Sequence, residues 1–134
     1  MTSILVMSLP NQFPPFDPAN YLRLSRNLAG APDQASQRSA IDRAYYSAFL
    51  IAREQLRLKR YITSLRGNEH EIVTQVLLRI SRPFGEQVRE LRRARSEVTY
   101  NLGDVELRAG QSVRWAIDTA RVVITAVRAL PENA

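Results

Sequence analysis

The chain has 134 residues, enough for one domain with a core of its own, and no cysteine, which excludes disulfides, thiolate metal sites and cysteine nucleophiles. Its formal net charge is +6, and Lys59 is the only lysine among 19 basic residues. Arginine's planar fork binds phosphates bidentately and stacks on bases, so an arginine-rich chain points to nucleic acid or another anionic partner. A GC-rich genome accounts equally well for the Arg/Lys ratio, though not for the positive excess.

Residues 1–16 contain Pro10, Pro14 and Pro15 and show no periodicity, so they read as an extended or disordered arm. The Ile4–Met7 apolar run is too short for a signal peptide core, and no later run reaches the roughly 18 residues of a membrane span. A soluble, cytoplasmic protein with no membrane contact is the expectation.

Asp17-Pro18 marks the start of a helix that runs to about Ala29, with an acidic cap followed by proline at the first helical position. Pro32-Asp33 opens the longest helix, which extends to about Arg60. It is apolar nearly all round between Ala40 and Ala52, as expected of a helix contacted on several sides. After Gly67-Asn68 a short helix covers about Glu69 to Ile80, with Ile72, Val73, Val76, Leu77 and Ile80 on one stripe. A further helix takes about Pro83 to Leu102, repeating Val88, Leu91, Ala94, Val98 and Leu102 at helical spacing.

Gly103 to Gly110 reads as a loop, and the last helix starts near Gln111 or Ser112. Its core stripe is Val113, Ala116, Ile117, Ala120, Val123, Ile124 and Val127, opposite Arg114, Asp118, Arg121, Thr125 and Arg128. The fold class is therefore all-α: an antiparallel bundle of four main helices plus one short one, forming a single domain over residues 17–134. Glycine-rich phosphate loops and metal-ligand clusters are absent. A single histidine, His70, cannot make a two-histidine metal site, so no cofactor or metal is expected.

Arg95 falls on the apolar stripe of its helix. It is either paired with a carboxylate such as Asp42 or Glu54, or it binds an anion at the mouth of a cleft. Arg93, Glu97 and Tyr100 share another face at offsets of four and seven residues. Arg89, Arg92 and Arg93 crowd one turn, as either a solvated face or an RNA-contacting edge. Tyr45 and Tyr46 read as core anchors with bonded hydroxyls or, for one of them, as a base-stacking ring; His70 reads as structural or superficial, with a catalytic role as the alternative, and Trp115 as partly buried or a subunit contact.

In order along the chain, Tyr21-Leu22, the run Arg43-Ala44-Tyr45-Tyr46-Ser47-Ala48-Phe49 with Ala52-Arg53, His70-Glu71-Ile72-Val73, and Arg95-Ser96-Glu97-Val98-Thr99-Tyr100 resemble the motifs of the HEPN superfamily. The resemblance spans about residues 18–130. It implies a helical bundle acting on RNA, in many members a metal-independent endoribonuclease, often a toxin whose antitoxin is a nucleotidyltransferase. It also implies a homodimer whose cleft presents an arginine and, after four to six intervening residues, a histidine. Here Tyr100 stands at the histidine position, counted from either Arg95 or Arg93. A tyrosine, with an ordinary pKa near ~10, is a poor base at neutral pH. The candidate catalytic residues are thus Arg95, Tyr100 and Glu97, and the candidate RNA-binding residues Arg89, Arg92 and Arg93. The competing reading is a non-catalytic interaction or scaffold bundle in which Arg95 is a structural ion pair.

Overall fold

The computed structural model describes residues 15–101 and 112–134. Most of the expected N-terminal arm, Leu102 and the expected 103–110 loop lie outside them. Among the described residues the chain is all-helical, with five helices: α1 Ala19–Ala29, α2 Gln34–Leu58, α3 Glu69–Ile80, α4 Arg82–Tyr100 and α5 Val113–Arg128. None is long and apolar enough to cross a membrane.

Local chemistry sets most of the helix starts. The side chains of Asp33, Asn68 and Ser112 each accept a hydrogen bond from the backbone N–H three residues on, filling a donor the first turn leaves open. Between α3 and α4 the chain spends one residue, Ser81, whose extended backbone ends one helix and begins the next, with Pro83 in the first turn of α4. At the far end of α1, Gln37 Nε2 donates to the carbonyls of Ala29 and Ala31 and so ties that terminus to α2.

The centre of the bundle is α2, which packs against each of the other four helices. Its buried residues, including Ile41, Tyr45, Ala48, Ile51, Ala52 and Leu56, run right round the helix. The small residues Ala40, Ala44, Ala48 and Ala52 are fully buried, which lets neighbouring backbones come close. Two buried hydroxyls join α1 to it: Ser25 donates to the Ala40 carbonyl, and Ser47 donates to that of Pro18. On α5 the expected apolar stripe is buried from Ala116 to Val127, with Val113 half-buried, and the expected polar stripe is exposed.

The long helix stops at Leu58, short of Arg60, because Arg60 has a left-handed backbone with φ 67°. The Tyr61 N–H bonds the Leu56 carbonyl at 2.8 Å and the Arg60 N–H bonds that of Arg57 at 3.2 Å, the paired arrangement that usually places glycine at the left-handed position. Asn133 holds the turn from outside, its backbone N–H on the Lys59 carbonyl and its side chain on that of Arg60. The Lys59 ammonium in turn caps α5 by donating to the carbonyls of Val127 and Arg128. An arginine at positive φ carries a steric cost that glycine lacks. Arg60→Gly should therefore raise the unfolding free energy by about 1 kcal/mol in chemical denaturation, and a loss of stability would show that the arginine side chain matters more than its backbone.

Candidate functional site

One face of α2 carries Arg38, Asp42 and Tyr46 at four-residue spacing, so the three stack along the same side of the helix. Opposite them lies the last stretch of α4. Together Arg38, Ser39, Asp42 and Tyr46 of α2 and Arg95 and Thr99 of α4 line an open cleft of about 330 Å³.

Arg95 lines it from α4. Its Nε donates to Asp42 Oδ1 at 3.1 Å and its Nη2 to the Tyr46 hydroxyl at 2.9 Å. The guanidinium carbon is 5.0 Å from the Tyr46 ring centre and 5.9 Å from that of Tyr100, so two aromatic rings flank the cation. Burial opposes the charge, but the hydrogen bond to Asp42 and the neighbouring phenols outweigh it and raise the Arg95 pKa above the ordinary arginine value. Of the two carboxylates the sequence offers, Asp42 is the partner, while Glu54 pairs with Arg57 instead. Tyr100 is 73% exposed, leaving most of its surface open to solvent beside the cleft.

Sequence reasoning passed over Arg38. Its Nη1 donates to the carbonyls of Val98 and Asn101, so it caps the end of α4 and adds a second guanidinium to the cleft wall. Its spacing to Asp42 and Tyr46 was the available signal. The cleft lining then holds two guanidiniums and one carboxylate.

Next to this cleft, His70 in the first turn of α3 lies over the aromatic side of α2. Its ring stacks on Phe49 at 4.2 Å between centres and meets Tyr46 edge-on at 6.0 Å, and its Nδ1 is 2.5 Å from the Tyr45 hydroxyl. Burial pushes the Tyr45 phenol up, keeping it protonated. Burial also holds the His70 pKa below its usual value; Arg92, Arg95 and Arg53 add to the effect and Glu69 opposes it. The unfolded chain takes up a proton here below about pH 6.5 and the folded chain resists it, so this group adds stability above that pH and withdraws it as pH falls.

The remaining sequence candidates are dispersed. Arg89 pairs with Glu86 at 3.3 Å, Arg92 with Glu71 of α3 at 3.3 Å, and Arg93 with Glu90 at 2.5 Å. Among the described residues the Glu97 carboxylate reaches neither Arg93 nor Arg95, so the face shared by Arg93, Glu97 and Tyr100 is not a bonded set. Arg95 and Tyr100 are brought together. Tyr45 and Tyr46 anchor the core with bonded hydroxyls, and Trp115 is partly buried against it. No group of three or more metal-ligating side chains occurs among the described residues. No family model, curated protein or solved structure matches this chain.

Proposed function

We propose that this chain is a HEPN-like RNA-binding protein that holds RNA at the cleft between α2 and α4. The observation that carries this reading is the Arg95 guanidinium, fixed between the Tyr46 and Tyr100 rings at the edge of an open cleft that also contains Arg38. Guanidiniums attract phosphates, and an exposed tyrosine ring gives a base a surface to stack on. The net charge of +6 supports the approach of RNA from a distance.

Binding without cleavage is the expected activity. Proton transfer at a 2'-hydroxyl needs a competent base at neutral pH, and the residue at the position where the resemblance implies a histidine is Tyr100, a phenol. A metal-independent endoribonuclease ancestry fits the motif order. The same resemblance extends the proposal to a homodimer in which Arg95 and Tyr100 of two copies meet, and to a toxin–antitoxin or defence pair with a nucleotidyltransferase antitoxin.

A scaffold role is the second reading, favoured by the pairing of Arg89, Arg92 and Arg93 each with a glutamate. Exposed pairs of this kind contribute about 0–1 kcal/mol, so an incoming phosphate can displace them at little cost. Fluorescence anisotropy with a short single-stranded oligoribonucleotide at two salt concentrations separates the readings. RNA contact through phosphates gives an affinity that falls steeply with salt. Absence of binding below roughly 100 μM at low salt leaves the scaffold standing and removes the RNA reading.

A further inference from the structure

We infer that His70 serves as a neutral hydrogen-bond donor, its Nδ1 held by the buried Tyr45 hydroxyl so that its Nε2–H is presented to a phosphodiester oxygen of the bound ligand. The identity of that ligand rests on the RNA reading; the lock on the imidazole does not.

Tyr45 is fully buried, and among the described residues His70 Nδ1 is the partner its hydroxyl has. A phenol has one proton to give, and leaving that proton unpaired in an apolar core is costly. Tyr45 therefore donates, Nδ1 accepts, and the neutral ring carries its own proton on Nε2. Protonating Nδ1 would set N–H against O–H and leave the phenolic proton without its partner. The ring has little room to turn over, because Phe49 stacks on it within 14° of parallel and Tyr46 meets it edge-on.

The charged groups around the ring act in the same direction. Arg53, Arg92 and Arg95 disfavour a cation there, while Glu69 alone favours one. Arg53 is held by Glu69 at 2.9 Å and Arg92 by Glu71 at 3.3 Å, so these guanidiniums are fixed along the rim. Such a rim attracts an anion without specifying its position. A neutral N–H on a clamped ring adds direction, since it bonds only an acceptor placed in line with it. His70 is thus a binding residue and not the base of a nuclease.

His70 is the only histidine, so long-range proton–nitrogen correlation reads it without assignment. The free protein should show the Nε2–H tautomer and a titration midpoint below the ordinary histidine value. A short oligoribonucleotide, and separately inorganic pyrophosphate, should shift the Nε2–H signal. His70→Ala should weaken oligonucleotide binding about fivefold, as expected for one hydrogen bond. Tyr45→Phe frees Nδ1, so the ring should regain a midpoint nearer the ordinary value and oligonucleotide affinity should become dependent on pH.

A proton found on Nδ1, or a wild-type midpoint at the ordinary value, overturns the inference. So does an oligonucleotide that binds by anisotropy without moving the signal, and so does the absence of any shift with both probes. If the oligonucleotide fails to bind while pyrophosphate still moves the signal, the RNA reading falls and the neutral donor stands.

Discussion

Arg95→Ala is expected to weaken oligoribonucleotide binding at least tenfold and to lower the unfolding free energy by about 2–3 kcal/mol. Both effects come from one side chain, because the same guanidinium holds Asp42 and the Tyr46 hydroxyl and faces the cleft. Removing it leaves the Asp42 carboxylate without its closest partner; Arg43 lies 3.8 Å away and is a weak substitute. The Arg95 and Asp42 side chains keep 19% and 22% of their surface exposed, so water relieves part of the stranded charge. The cost therefore falls below the 3–5 kcal/mol typical of a fully buried pair and near the value of hydrogen bonds to charged groups.

A second substitution divides the two roles. Adding Asp42→Asn to Arg95→Ala removes the stranded charge, so denaturant melts should recover most of the lost stability while affinity stays low. If affinity recovers as well, Arg95 acts on binding only by holding the fold. Arg95→Lys tests the geometry, since a lysine keeps the charge but cannot bond Asp42 and Tyr46 with one planar fork. Tyr100→Phe keeps the exposed ring and should change affinity less than twofold, whereas a large loss would give the hydroxyl a chemical role.

The helices were legible because their start signals are local. Asp33, Asn68 and Ser112 cap the helices they were expected to precede, and the apolar stripe of α5 is buried as its spacing implied. The end of α2 was not legible, since its left-handed residue is an arginine and nothing in residue type marks it where glycine would. Arg95 on an apolar stripe announced that it needed a partner, but choosing Asp42 over Glu54 required knowing which turn of α2 lies opposite α4. The Glu86–Arg89 and Glu90–Arg93 pairs are three residues apart on one helix and could be read from spacing. Arg92 with Glu71, and His70 with Tyr45, join different helices. Such pairings depend on how α3 lies against its neighbours, which periodicity does not encode.

The way α3 meets α4 leads to the second large effect, at Gly85. In most helices a change from glycine to alanine gains up to about 1 kcal/mol, because alanine loses less freedom on folding. Here the sign reverses. A Cβ at Gly85 would lie 2.5 Å from Leu78 Cγ and Cδ2 and 2.7 Å from Leu78 Cα. The side chain of Leu78 can swing away, but its backbone belongs to the last turns of α3, so the two helices have to separate. With only Ser81 between them the connection has no slack to absorb the shift. Overpacking costs about 1–3 kcal/mol, and a clash with backbone belongs at the upper end, so Gly85→Ala should lower stability by about 2 kcal/mol after the helical gain is subtracted. Leu78→Ala in the same chain removes the Cγ and Cδ2 clashes but leaves the clash with the α3 backbone, so it should not restore the parental denaturation midpoint. A Gly85→Ala protein as stable as its parent would mean that α3 and α4 can part freely, and the placement of His70 beside Arg95, which depends on those two helices, would lose its support.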